Sequence, residues 1–243
     1  MKVSVITNEN ICRVNEELLK LVREAAKPMG DVIAPVLVIV PDRFTLQAEK
    51  ILLQGAKCLL NVRVLTFSML YNLIHEELMG TEESLKVLSK TTAVLFMWRA
   101  IQMVRRELRF FSRSVDQYAF AEKMFNTINQ LTSCMADFKN LEKNAAGDVT
   151  GAKMHDIQII YAKYKELTKE YTDSAGMLGW LIDNVGSSRI VKDTNVFITG
   201  FEHLSVQRAE VVRGLVRHAG SFTAGVRTGS EFEGWLCEVR FAM

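Results

Sequence analysis

The chain has 243 residues, 49% of them hydrophobic and 24% charged, which is enough apolar material for a folded core and excludes a wholly disordered protein. Thirty basic residues against 28 acidic ones leave a net charge of +2, so no overall field of either sign draws in nucleic acid, a membrane surface or an acidic substrate. Any anionic partner must be held by a local patch.

Taken in chain order, short apolar runs rich in β-branched residues fall at 2–7, 36–41, 62–67, 195–199 and 222–226. Each is continuous rather than alternating, the pattern of strands buried on both faces of a parallel sheet. Helical spacing at 14–26, 46–53 and 68–78 follows the first three runs, giving the strand, helix, strand rhythm of a doubly wound sheet. Between residues 82 and 184 the period becomes helical throughout. Val94, Trp98, Ile101, Val104 and Leu108 predict one helix, Tyr118 to Phe138 a second and Ile157 to Tyr171 a third, with residues 143–153 as the loop between the last two and no strand in the segment. The predicted fold class is α/β: a RecA-like (P-loop NTPase-like) parallel sheet with an all-helical insertion. Residues 1–81 and 190–243 form the sheet domain and 82–189 the insertion.

Cys12, Cys58, Cys134 and Cys237 are scattered, without a CxxC pair or a metal-site spacing, and are read as buried reduced thiols. The opening MKVSVITNEN lacks a secretory h-region, and no apolar run approaches the roughly 20 residues that span a bilayer. The reading is a cytoplasmic protein with no membrane association. The closing run RTGSEFEGWLCEVRFAM carries no evident cap or closing helix, so the natural protein is expected to continue beyond it.

A nucleotide-binding sheet of this kind needs glycines after its first strand, so that backbone N–H groups approach the phosphates, followed by Lys and Ser/Thr. Here the turn reads Thr7, Asn8, Glu9, Asn10 and then Ile11-Cys12-Arg13, a degenerate Walker loop that predicts no nucleotide site. The second requirement is a carboxylate pair at the end of a buried strand, and Thr199 and Gly200 stand in that place. Glu202 and His203 follow without a nucleophile or metal set, so no catalytic residue is assigned. The run Arg99, Arg105, Arg106, Arg109, Arg113 is either a solvated helix face or a phosphate-binding surface.

The strings Val38-Ile39-Val40-Pro41-Asp42-Arg43-Phe44-Thr45, Val64-Leu65-Thr66-Phe67-Ser68-Met69-Leu70 and Val196 through Gln207 resemble, in order and spacing, three motifs of the AddB/RexB family. The segment Met154-His155-Asp156-Ile157 is similar too. The resemblance implies the superfamily-1 helicase arrangement with its motor function lost, in the B subunit of a bacterial helicase/nuclease that resects double-strand DNA ends for recombinational repair. It implies a helicase A subunit as partner, and single-stranded DNA inspected at the sheet's edge. The implied DNA contacts are Asp42, Arg43, Thr45, Phe67, Met69 and Phe201. Arg43 stands where Gln is common, and Met69 and Asn72 where an Arg and an aromatic are often found. An iron–sulfur cluster and magnesium are implied only for a C-terminal nuclease domain that these residues do not include. Two alternatives stay open: Thr45 caps the helix opening at Leu46 and Phe67 is core, or both meet DNA. A scaffold that binds the helicase partner through the insertion, without DNA contact, is the rival function.

Overall fold

A computed structural model describes residues 2–27, 34–54, 59–80, 86–143, 145 and 147–241. The chain divides into two compact units, Met1–Ser84 with Leu178–Met243, and Leu85–Met177.

The first unit opens with β1 (Lys2–Asn8), α1 (Ile11–Ala25), β2 (Val36–Ile39), a single 3-10 turn (Asp42–Phe44), α2 (Thr45–Leu53), β3 (Val62–Leu65) and α3 (Phe67–Met79). Asn10 starts α1 by accepting the N–H of Cys12 on its side-chain oxygen. Val14, Leu18, Leu19 and Val22 then recur on one face and are fully buried. Each such side chain contributes about 1.5–3 kcal/mol of transfer free energy, so this stripe fixes α1 against the sheet. Leu18, Leu19 and Val22 share a core with Val36, Val38, Val40, Phe44, Ala48, Leu52 and Phe197.

The second unit holds β4 (Lys86–Val87), α4 (Lys90–Val104), α5 (Tyr118–Ser133), α6 (Asp148–Leu167) and β5 (Tyr171–Thr172). Its core is built from Val94, Met97, Ile101 and Val104 of α4, Met124, Phe125 and Ile128 of α5, and Ile157, Ile160 and Tyr164 of α6. Helix α7 (Ser174–Asn184) leads back into the first unit, where α8 (Arg189–Lys192), β6 (Asn195–Ile198), α9 (Val206–His218), β7 (Ser221–Arg227) and α10 (Glu231–Phe241) follow.

The five apolar runs form one sheet, in the order β1-β7-β6-β2-β3. Every pairing in it is parallel. Interior β2, between β6 and β3, is buried along its whole length. At the two edges the expected burial on both faces fails: in β3 Arg63 is exposed and only Leu65 is buried, and in β1 residues 3–8 are at most half-buried.

Four other expectations change. The second unit, read as free of strands, contains the parallel pair β4 and β5, with Lys86 opposite Tyr171 and Val87 opposite Thr172. Two residues are too few to carry a period. The loop predicted at 143–153 is shorter, because Gly147 is the N-cap of α6 at φ 85° and Gly151 lies inside the helix. Cys12, Cys134 and Cys237 are exposed rather than buried, and Cys58 lies outside the described residues. The closing run forms α10, started by Ser230 Oγ accepting from Glu233 N while Glu233 Oε2 accepts from Gly229 N. This is close to a capping box, whose Ser-x-x-Glu spacing is legible in the sequence.

No described helix is long and apolar enough to cross a membrane.

Candidate functional site

The carboxyl ends of β2, β3 and β6 lie side by side, and in a parallel sheet that edge is where loops converge on ligands. After β2 the chain passes Val40 and the extended Pro41 into the turn Asp42–Phe44, closed by Phe44 N–H donating to Pro41 O at 2.8 Å. Asp42 and Arg43 are thereby left exposed at the tip. Thr45 does not cap the helix; it is the first residue of α2, and its hydroxyl donates to Asp42 O at 2.9 Å, bracing the turn.

After β3, Thr66 is the N-cap of α3 and accepts Met69 N–H at 3.3 Å, which places Phe67 and Ser68 in the first helical turn. After β6, Gly200 turns the chain at φ 84°, and a Cβ there would lie 2.9 Å from Pro41 Cδ and 3.3 Å from Phe44 Cδ1. Only glycine lets these two turns approach so closely. Phe201, Glu202 and His203 follow, and Ser205 starts α9 by accepting Arg208 N–H at 3.4 Å.

These segments enclose a cleft of about 340 Å³ lined by Asp42, Arg43, Ser68, Glu202, His203 and Arg208 above Phe67 and Phe201. The two rings meet edge to face, 5.7 Å apart at 60°, and are only 7% and 5% exposed. The guanidinium of Arg208 sits 5.7 Å from the Phe67 ring centre. Phe67 and Phe201 are thus the packed floor of the cleft, and Arg208 covers one ring face that a base would otherwise need. Among the described residues Arg43 and Asp42 have no ion-pair partner, whereas Glu202 pairs with Arg227 at 3.7 Å. The charges lining the cleft are thus balanced, Arg43 and Arg208 against Asp42 and Glu202, with Arg227 beside Glu202 from outside the lining.

Of the six residues singled out in the sequence, the cleft brings together Asp42, Arg43, Phe67 and Phe201. Thr45 and Met69 are not in its lining, although Met69 is 46% exposed. Among the polar and charged residues of the lining, Thr66, Ser68, Glu202, His203 and Arg208 are absent from the sequence-based set. A signal for Arg208 exists: it stands three residues beyond Ser205, the position whose N–H a serine cap receives.

The turn after β1 is different in character. Glu9 and Asn10 are its whole length; Asn8 Oδ1 accepts from Asn10 N and Asn10 Oδ1 from Cys12 N, both at 2.9 Å. A first-turn donor of α1 that an anion would use is taken by the chain's own side chain. Behind it, the buried Thr199 hydroxyl lies 2.7 Å from Asn15 Oδ1 and 3.2 Å from Gly225 O, donating into this pair of acceptors. Thr199 thus makes a neutral tie between α1, the end of β6 and β7. Among the described residues no group of three or more His, Cys, Asp and Glu side chains is placed to hold a metal ion.

In the second unit the basic run is partly neutralised. Arg105 pairs with Asp116 at 3.8 Å, and Arg109 with Glu142 at 2.8 Å, whose other oxygen lies 2.9 Å from His155 Nδ1. The hydrogen bond from His155, and then that from Arg109, holds the Glu142 carboxyl below its ordinary range. Asp156, fully buried, accepts the backbone N–H groups of Arg109, Phe110 and Phe111 at 2.8, 2.9 and 2.8 Å. The segment 154–157 thus anchors the turn after α4 through His155 and Asp156.

Residues 16–233 match the protein-family model described as "ADDB, N-terminal". Among curated proteins, the chain is 26% identical over 229 residues to the B subunit of the ATP-dependent helicase/deoxyribonuclease of Staphylococcus saprophyticus, covering 89% of this chain and 19% of that one. The proteins of the same name from Listeria welshimeri and Staphylococcus aureus are 27% and 25% identical over 212 and 205 residues. They cover 85% and 82% of this chain, and 18% and 17% of their own length. The chain spans less than a fifth of the length of these curated relatives. With the family model matched across nearly the whole sequence, the chain belongs to the AddB N-terminal family.

Proposed function

We propose that this chain is a helicase-like, RecA-like module without ATPase activity, acting within the B subunit of a cytoplasmic helicase/nuclease complex and holding single-stranded DNA in the cleft at the sheet's carboxyl edge. The observation that carries the reading is the convergence of Arg43, Ser68, His203 and Arg208 from three loops onto one cleft above a packed aromatic floor. Guanidinium groups suit phosphate oxygens, and hydroxyl and imidazole groups suit base edges or sugars. The burial of Phe67 and Phe201 supports a role in holding Arg208 and the loops in place, in preference to stacking on bases.

Two features support the loss of ATPase function: the two-residue turn after β1, with its capped helix start, and the Asn15–Thr199 tie. In this reading the iron–sulfur cluster and magnesium belong to a nuclease domain of the whole protein, and no residue of this chain is assigned to them. The companion helicase subunit is its partner, in end resection and recombinational repair.

The test is binding of a fluorescent single-stranded oligonucleotide to the full-length protein in complex with its companion subunit, at two salt concentrations. Each phosphate contact removed flattens the salt slope by about 0.7 for a single strand, so Arg43→Ala with Arg208→Ala is expected to weaken all sequences alike and flatten the slope by about 1.4. An unchanged slope and unchanged affinity in the double variant would take the cleft out of DNA recognition.

A further inference from the structure

We propose that the free edge of β1 receives one further strand, parallel to β1 and contributed by the segment that follows α10 in the whole protein. This goes beyond the reading of the cleft and does not depend on DNA. It takes the whole protein to be longer than these residues, since the matched family model describes an N-terminal region and the relatives extend well past the match.

The edge of β1 is unprotected. The strand pairs with β7 without a bulge, from Lys2 opposite Ser221 to Asn8 opposite Arg227, and among the described residues it has no neighbour on its other side. Asn8 O accepts Thr228 N–H at 2.9 Å, which turns the backbone groups of Asn8 towards β7. Backbone direction alternates along a strand, so Ser4 and Ile6 also face β7, while Val3, Val5 and Thr7 present their N–H and C=O groups to the free side. Folded proteins blunt such edges with short strands, charges, proline or bulges. The opposite edge does so, because β3 has four residues and carries the exposed Arg63. By contrast β1 has seven residues, KVSVITN, without proline and with its single charge at the first position. Its apolar residues Val3, Val5 and Ile6 are only half-buried, whereas Phe222, Ala224 and Val226 on the neighbouring strand are fully buried. A sheet that continues past β1 covers these side chains and pairs these backbone groups together.

Topology selects the occupant. Helix α9 links β6 to β7 and so steps the chain by one strand towards β1. Helix α10 lies on the same face of the sheet as α9: both contact β7, and the guanidinium of Arg213, midway along α9, sits 5.8 Å from the ring centre of Trp235, midway along α10. Crossovers between parallel strands are almost always right-handed, so two that use the same face step in the same direction. A strand after α10 is therefore carried onwards past β7, where the adjoining place is filled by β1, and comes to rest on the free side of β1. Because α10 returns the chain to the amino end of the sheet, that strand runs parallel to β1. Phe232 and Leu236 hold α10 by burial, and connections from helix to strand take about 2–6 residues, so the strand begins soon after the helix. A strand from a companion subunit, or β1 of a second copy, has no such connection to direct it there.

The test uses the full-length protein. In hydrogen exchange resolved by residue, the amides of Val3, Val5 and Thr7 are expected to exchange about a hundredfold slower than exposed amides, as slowly as those of Ser4 and Ile6, with or without the companion subunit. A photo-crosslinking amino acid at position 7, an exposed place on the strand, should capture the segment immediately after α10, identified by mass spectrometry. Free exchange at Val3, Val5 and Thr7 beside protected Ser4 and Ile6, or protection that appears only when the companion is added, would overturn the proposal. Crosslinks only to the companion, to DNA, to a second copy or to a distant segment of the chain would do the same. None of these outcomes bears on the cleft, whose DNA binding is read separately by its salt slope.

Discussion

Gly200 sets how near the turn after β6 comes to the turn after β2, because any side chain there meets Pro41 Cδ at 2.9 Å in a backbone conformation with φ 84°. Gly200→Ala is expected to cost about 2 kcal/mol, from left-handed strain and overlap together, read as a fall in urea midpoint at unchanged m-value. Phe67→Ala, which removes a floor ring only 7% exposed, should cost about 3 kcal/mol of stability. A ring that stacked on bases from an exposed position would show the opposite balance, with binding lost and stability kept. That distinction is not legible in the sequence. The strand ends and the order of the motifs place Asp42, Arg43, Phe67 and Phe201 at one edge, but which side of the first turn of α3 faces inward depends on Phe201, far away in the chain. Arg208 escapes a reading by motif because it belongs to the next helix and reaches back over the ring.

Among elements, helical and strand periods are the readable part, since α1, α3, α4, α5 and α6 each bury a stripe at the spacing the letters show. What periodicity misses is polar wiring between elements. Asp156 on α6 is invisible as an amphipathic position, yet it gathers three backbone N–H groups from the turn after α4. Asp156→Ala leaves those donors unpaired and should destabilise the chain by about 3 kcal/mol, measured by urea unfolding. Asp156→Asn should be nearly as harmful, because an amide can turn only one acceptor towards them. Tyr164, also on α6, gives a pH signature. Its burial, and then the carboxylate of Asp173 that its hydroxyl contacts at 3.1 Å, raise the phenol above the ordinary 10.0. The folded state therefore binds this proton more tightly than the unfolded one. Its stabilising effect is whole below pH 10.0 and is lost as pH rises from there towards the folded value. Tyr164→Phe should show a shallower fall in urea midpoint between about pH 9 and pH 11 than the wild type.

For the whole molecule, the parallel sheet is readable because five short runs rich in β-branched residues leave few alternatives. The order β1-β7-β6-β2-β3 is not, since the runs say which segments are strands but not which neighbours they choose. The chain is expected to give no heat on calorimetric titration with magnesium and ATP, because a two-residue turn with Asn10 already on the helix start offers no phosphate cradle. Micromolar binding would show that the Asn15–Thr199 tie opens to admit a nucleotide. Strand order also has a consequence for synthesis on the ribosome. Among the described residues β1 is an edge strand paired with β7 alone, with Lys2 opposite Ser221 and Asn8 opposite Arg227. At about 5–20 residues per second, an emerging β1 waits on the order of ten to forty seconds for its partner to be made. The helical unit, whose buried core lies wholly between Leu88 and Tyr164, is translated and can close within that interval. Nascent chains arrested before residue 221 should therefore protect the helical unit from protease while α1 and β1 remain open to cleavage, and β1 should become resistant only after β7 has left the exit tunnel.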